Sequence, residues 1–109
     1  MSAALEPTSC KEAEPFALQI RDDSMAPEFW PGCIVIIDPT GIARDGVYVL
    51  AELDAEFVVR RLQRQSAYWK LTPLNDDYET TGSVSLENIV GVVSQRAGSR
   101  RRHHKRYDI

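Results

Sequence analysis

Cysteine is scarce in this sequence, and long apolar runs are missing from it. The two cysteines, Cys10 and Cys33, have no Cys-x-x-Cys or Cys/His spacing around them, which argues against a zinc site and against a disulfide framework. No stretch approaches the roughly 20 apolar residues that span a bilayer. The N-terminus also lacks the basic start and apolar core of a signal peptide. We therefore expect a cytoplasmic protein with no membrane association, no metal and no cofactor.

The sequence also lacks the long helical periodicity of packed helices and has short apolar stretches between turn residues instead. The predicted strands cover residues 16–20, 33–37, 47–53, 57–62, 68–74 and 89–93. The β-branched run at 33–37 is typical of a central strand, and Gly91 indicates a bulge or a close backbone approach. About one helical turn is expected over 25–30, before Pro31 and Gly32. The pattern predicts an all-β fold of antiparallel strands.

Composition divides the 109 residues into three parts. Residues 1–15 have no apolar periodicity and are predicted to form a flexible arm, whereas residues 16–95 hold every predicted strand in one domain. Residues 96–109 are predicted to be a disordered basic tail. This tail holds six basic residues and one aspartate, so its net charge is +5, and residues 1–95 carry −8 of the total of −3.

The charge of the predicted tail allows two interpretations. Its cations can contact the phosphates of a nucleic acid, or the tail can be a solvated extension without any partner. The candidate phosphate contacts are Arg100, Arg101, Arg102, Lys105 and Arg106. The adjacent His103 and His104 are interpreted as part of this polar segment, and not as metal ligands or a catalytic base.

Five short segments stand in a fixed order along the predicted domain. They are Asp23-Ser24-Met25-Ala26-Pro27, Asp45-Gly46-Val47, Val59-Arg60-Arg61-Leu62, Leu71-Thr72-Pro73-Leu74-Asn75 and Ile89-Val90-Gly91-Val92-Val93. They resemble the Ser-Met-x-Pro motif, the Asp-Gly turn, the Val-Lys-Arg-Leu strand, the Leu-x-Pro-x-Asn segment and the closing strand of the LexA-like serine peptidases. This family includes the C-terminal domains of LexA, UmuD and phage repressors. The resemblance implies an all-β fold of the LexA C-terminal type and a homodimer.

The resemblance places Ser24 at the nucleophile position and Arg60 where the family has its catalytic lysine, with Asp23, Met25 and Pro27 flanking the site. A serine hydroxyl becomes nucleophilic when a base removes its proton, and a buried lysine with a lowered pKa is such a base. A guanidinium stays cationic and only donates hydrogen bonds. Arg60 therefore predicts a broken Ser-Lys pair.

Both positions have structural alternatives. Ser24 can be the N-cap of the helical turn instead of a nucleophile, because serine is favoured at that position. Arg60 is expected to point toward Ser24 and can pair with Asp22, Asp23 or another carboxylate of the acidic domain. In that case an ion pair fills the former catalytic site.

Lys70 is the alternative base and the less favoured one. A hairpin that turns around residues 65–66 would set Lys70 roughly opposite Arg61, and alternation puts Arg61 on the other face of the strand from Arg60. A register shift of one residue would reverse this arrangement. Lys70 therefore stays open as a base.

Two features of self-cleaving relatives are not expected here. Such relatives carry an Ala-Gly or Cys-Gly cleavage bond well before the serine, and only 23 residues precede Ser24. The same short segment has no helical periodicity for a DNA-reading helix-turn-helix. The Ala97-Gly98 pair is interpreted as a coincidence. In outline the chain resembles the shortened form of UmuD.

Three functions follow as hypotheses. The leading one is a catalytically degenerate dimerisation or interaction module with an unidentified protein partner, in an SOS-response, phage-repressor or mobile-element context. The second is an active serine peptidase, cleaving itself or a partner, with Ser24 as nucleophile and a displaced base. The third is a nucleic-acid-binding accessory protein that uses the basic tail.

Overall fold

The structure is a computed structural model that describes residues 14–109. The first thirteen residues of the predicted arm, including Cys10, lie outside the described part. The described strands are β1 Phe16–Gln19, β2 Ile34–Asp38, β3 Tyr48–Leu53, β4 Glu56–Gln65, β5 Tyr68–Thr72, β6 Thr81–Val84, β7 Ile89–Ala97 and β8 Lys105–Arg106. Two short 3-10 helices, Leu86–Asn88 and Arg101–His103, complete the described elements. The predicted all-β fold is confirmed.

The eight strands form one antiparallel sheet in the order β1-β2-β7-β3-β4-β5-β6, and β8 pairs with β7. The predicted hairpin of β3 and β4 is present, and Leu53 pairs directly with Glu56 across a two-residue turn. Both turn residues, Asp54 and Ala55, have the positive φ angles that such tight hairpin turns require. None of the residues from 14 onward belongs to a helix long and apolar enough to cross a membrane.

The buried side chains form two clusters, which is the result of alternation along the central strands. In β3, Leu50 packs in the first cluster with Met25 and Phe29, whereas its neighbours Val49 and Ala51 pack in the second. In β7, Val93 packs in the first cluster and its neighbour Val92 packs in the second. The first cluster lies beneath the turn that carries Ser24, so that turn rests on a packed core.

Gly91 lies where β7 passes very close to β2. A Cβ atom at this position would be 2.6 Å from Ile37 Cγ2 and 3.0 Å from the Asp38 carbonyl oxygen. The pairing of β7 with β3 also shifts here, because Leu50 pairs with Gly91 and the next residue, Ala51, pairs with Ile89. Both the bulge and the close approach predicted at Gly91 are confirmed.

The segment 25–30 contains the predicted single turn of helix and nothing longer. Residues Ser24 to Glu28 form hydrogen-bonded turns, and the Phe29 N–H donates to the Met25 carbonyl at 2.8 Å, the spacing of a single helical bond. The helix does not continue because Pro27 has no N–H to donate, and Pro31 and Gly32 follow. One difference from the prediction is β6, Thr81–Val84, which lies outside all of the predicted strands.

The prediction of a disordered tail from residue 96 is wrong. Strand β7 continues to Ala97, and β8 returns beside it with Arg106 opposite Gln95. Tyr107 packs edge-on against Tyr48 and at a tilt against Phe29. The segment is ordered because one aromatic residue enters the core and a carboxylate of the domain, described below, neutralises part of its charge. Local composition shows neither effect.

Candidate active site

Ser24 lies in the turn between β1 and β2, and it is almost fully buried, with 2% of its surface exposed. Its carbonyl oxygen accepts hydrogen bonds from the N–H groups of Leu74 and Asn75, at 3.1 and 3.0 Å. The segment that follows β5 therefore holds the turn from the other side. Because the next residue, Met25, is in the core, the serine is fixed in position by its neighbours on both sides.

The Ser24 hydroxyl lies between a carboxylate and a guanidinium, two groups of opposite charge. Its Oγ donates to Asp22 Oδ1 at 2.7 Å, and Arg60 Nη1 from β4 donates to the same Oγ at 2.9 Å. The Ser24 N–H also donates to Asp22 Oδ1, at 3.1 Å. Arg60 thus points toward Ser24, as the sequence predicted. Ser24 does not act as the N-cap of the single turn that follows it, because its hydroxyl bonds to these two side chains instead.

The Arg60 guanidinium is half-buried. Burial lowers its pKa, and the nearby negative charge of Asp22 opposes that shift. A guanidinium nevertheless remains protonated at physiological pH, so it cannot remove a proton from Ser24. Arg60 Nη1 also donates to the Val59 carbonyl at 2.8 Å, which anchors the side chain to its own strand. The contact of Arg60 with Asp22 runs through the serine hydroxyl.

A second layer of side chains holds this arrangement. Tyr78 donates its hydroxyl to Asp23 Oδ1 at 2.8 Å, and its ring lies 5.8 Å from the Arg60 guanidinium, within the range of a cation–π contact. The hydrogen bond to Asp23 raises the pKa of Tyr78. Asn75 Nδ2 donates to the Asp23 carbonyl at 3.2 Å. Tyr78 thereby connects the Arg60 guanidinium with Asp23.

A groove leads to the serine. Its part nearest to Ser24 has a volume of about 160 Å³ and lies between residues 18–22 and residues 57–60. It continues into an apolar part of about 310 Å³, lined by Phe16, Leu18, Leu50, Phe57 and Val90. Phe57 keeps 59% of its surface exposed, an unusual value for phenylalanine. The groove is therefore an apolar channel with charged groups at one end.

Two strand edges border this groove. Within residues 14–109, β1 pairs only with β2, and the first half of β4, residues 56–60, pairs only with β3. Such edges present backbone N–H and C=O groups that an added strand can bind.

Lys70, the alternative base predicted from sequence, lies away from Ser24 on the sheet. Lys70 pairs with Gln63 and not with Arg61, so the predicted register was wrong by two residues. A shift of two keeps the parity of the strand, and Lys70 remains on the face away from Arg60. The ring nitrogens of the two histidines contact the Arg100 N–H and the Gln95 side chain.

Among the flanking residues, Met25 is buried in the core and Pro27 is exposed on the turn. The described residues contain no group of three or more His, Cys, Asp and Glu side chains arranged to hold a metal ion.

Sequence reasoning missed the closest partner of the serine. Asp22 was considered only as a partner of Arg60, although an aspartate two residues before a serine commonly accepts from that residue's backbone N–H. That local signal was available. Tyr78 and Asn75 could not be assigned, because their contact with Asp23 spans 55 and 52 residues.

Comparison with known proteins identifies the family. The sequence model of the peptidase S24-like family matches residues 3–93. LexA repressor 2 of Pseudomonas putida is 37% identical over 75 residues, which cover 68% of this chain and 37% of the repressor. The LexA repressor of Carboxydothermus hydrogenoformans is 38% identical over 71 residues, covering 62% of this chain and 35% of that protein. The chain spans little more than a third of these relatives, and it belongs to the peptidase S24-like family.

Proposed function

We propose that this chain is a catalytically inactive member of its family that acts as a dimerisation and interaction module. Its context is an SOS response, a phage repressor or a mobile element, in line with relatives that are named repressors. The observation that carries the proposal is the 2.9 Å hydrogen bond from Arg60 to Ser24 Oγ. A cation that can only donate occupies a position from which a base would act.

The electrostatics of this contact support the loss of activity. A nucleophilic serine needs an acceptor for its proton, and the Arg60 guanidinium that contacts its oxygen at 2.9 Å has no lone pair with which to accept one. Loss of a general base typically lowers the rate by about 10²- to 10⁴-fold. The native site is therefore a structural link between the Ser24 turn and β4.

The groove supports the interaction role. Its walls are two strand edges, and its apolar part exposes Phe57 beside Phe16. An extended segment of a partner polypeptide can bind such edges through its backbone, with apolar side chains against the two phenylalanines. Binding of this kind needs no catalysis at Ser24, so a partner would be held without being cleaved.

An active peptidase with Asp22 as its base is the second candidate. The specific observation in its favour is the 2.7 Å hydrogen bond in which the Ser24 hydroxyl donates to Asp22 Oδ1. A general base must lie within this distance of the proton that it removes. Carboxylates are, however, much weaker bases than the neutral amine of a lysine. Arg60 would then act as an electrostatic stabiliser.

The test compares how fast a fluorophosphonate probe labels Ser24 in the native protein and in Arg60→Lys as the pH is raised. We expect little labelling of the native protein and a rate at least about 10²-fold higher in the lysine variant, because its amine can accept the proton. The rate in Arg60→Lys should rise with pH, as the amine loses its charge. Mass spectrometry locates the label on Ser24.

Two further variants make this comparison specific. Arg61→Lys introduces the same change at the neighbouring residue of β4, and it should label no faster than the native protein. Asp22→Asn tests the second candidate. Rapid labelling of the native protein that disappears in Asp22→Asn would reject the inactive-module proposal and establish Asp22 as the base.

A further inference from the structure

The C-terminal segment presents a cluster of arginines on an ordered scaffold. We propose that this cluster, defined as Arg100, Arg101, Arg102 and Arg106, binds the phosphate backbone of a nucleic acid. All four side chains are exposed. They lie within six residues of one another, so even a fully extended chain would keep their Cα atoms within about 20 Å. The site is separate from the Ser24 groove and does not depend on catalysis there.

The arginine cluster is not neutralised by the folded domain. Within the part of the chain that the structure describes, the salt bridges of this segment involve Arg96 and Lys105, and both of them go to Glu28. The four clustered guanidinium groups make no salt bridge there. The sequence suggested Lys105 as a phosphate contact, but Glu28 partly neutralises its charge. The four arginines of the cluster keep their full positive charges for a ligand.

The scaffold holds these cations in place. The His103 N–H donates to the Arg100 carbonyl at 3.0 Å, and the His104 N–H donates to the Arg101 carbonyl at the same distance. Arg96 Nε donates to the His103 carbonyl at 2.9 Å, which ties the turn to β7. A backbone ordered in this way loses less conformational entropy on binding than a disordered tail would.

The chemistry of the cluster favours phosphate over other anionic surfaces. Its four cations are all arginines, whose planar guanidinium groups bind phosphate oxygens in a bidentate manner. A membrane surface would require apolar anchors beside the cations. Among residues 14–109 the large exposed apolar side chains are Phe16, Ile42, Phe57, Tyr68 and Leu86, and none of them lies within the C-terminal segment. The net charge of −8 on residues 1–95 also repels nucleic acid from the rest of the chain, because both are negatively charged.

The test measures binding of fluorescent double-stranded and single-stranded DNA by anisotropy at increasing salt. With three or four phosphate contacts, affinity should fall by about 40- to 150-fold between about 50 and 200 mM salt. The double variant Arg101→Gln/Arg102→Gln removes two contacts. It should lower affinity at least about tenfold at low salt and reduce the salt slope by about two. The preferred form of DNA is an additional readout.

A charge-matched control separates a local site from a general effect of charge. Arg21→Gln/Arg64→Gln also removes two exposed arginines, but from outside the segment, and affinity should change by less than about threefold. Equal losses in both double variants would overturn the proposal. So would an absence of DNA binding at low salt, or equally tight binding of polyglutamate.

Discussion

The Glu28 carboxylate accepts hydrogen bonds from three side chains of the C-terminal segment. Its Oε2 accepts from Arg96 Nη1 at 3.1 Å, from Lys105 Nζ at 2.9 Å and from the Tyr107 hydroxyl. Burial raises the pKa of Glu28, but the hydrogen bonds from Tyr107 and Lys105 and the positive charges around it outweigh burial and lower it. Burial and the same carboxylate raise the pKa of Tyr107, which keeps its hydroxyl a donor.

Glu28→Gln should destabilise the fold by about 1 to 3 kcal/mol at neutral pH, because hydrogen bonds to a charged group are lost. Because the pKa of Glu28 is lower in the folded state than in the unfolded state, its ionised carboxylate stabilises the fold at pH values above the unfolded-state pKa. This stabilisation is lost as the pH falls through the folded-state pKa. The free energy of unfolding in urea should therefore fall more steeply below pH 4.5 for the native protein than for Glu28→Gln. Exposed Glu79→Gln is the control, and equal pH dependence in all three proteins would contradict this role.

How far the site could be predicted depends on whether a contact was local or followed the family pattern. The approach of Arg60 to Ser24 was predicted, because the family motif places the two positions together. The contact of Tyr78 with Asp23 joins segments 55 residues apart, and no pattern in a single sequence encodes it. Glu28 is a comparable case, because its partners belong to a segment that looked disordered.

Strand β7 is the central element of the sheet, since it pairs with β2, β3 and β8. Its close approach to β2 at Gly91 leaves no space for a side chain. Gly91→Ala should therefore destabilise the protein by about 1 to 3 kcal/mol, the usual cost of overpacking. In Gly82→Ala the new Cβ would meet nothing closer than 3.9 Å, and its urea midpoint should stay near the native one. Similar urea midpoints for both variants would contradict this prediction and show that β7 can move away from β2 to make space for a methyl group.

Strands were predictable where their apolar pattern was strong, and the errors have physical reasons. The hairpin of β3 and β4 and the bulge at Gly91 follow from turn length and from glycine in a strand. Strand β6 was missed because Gly82 has weak strand propensity and the segment is only four residues long, so it forms a strand only by pairing with β5. Strand β8 has two charged residues and depends on β7 in the same way.

The whole chain has a modest core and exposes large apolar side chains, which fits the proposed homodimer. Sedimentation at tens of micromolar should give twice the mass of one 12.3 kDa chain. Dilution should shift the distribution toward monomer, because association follows mass action. A single species of monomer mass at all of these concentrations would contradict the dimer, without affecting the assignment of Ser24 and Arg60.

The bonds of Glu28 also close a ring in the chain. Its contacts with Lys105 and Tyr107 join residues that are 77 and 79 positions apart, so the ring encloses β2 to β7. The entropic cost of closing a ring grows only slowly with its length. In the intact chain this cost is part of the free energy of folding. A single peptide-bond cleavage after Gly98 would open this ring, and only non-covalent contacts with Glu28, Phe29, Tyr48 and β7 would then hold the C-terminal segment. The intact backbone therefore keeps the partners of Glu28 at a high effective concentration.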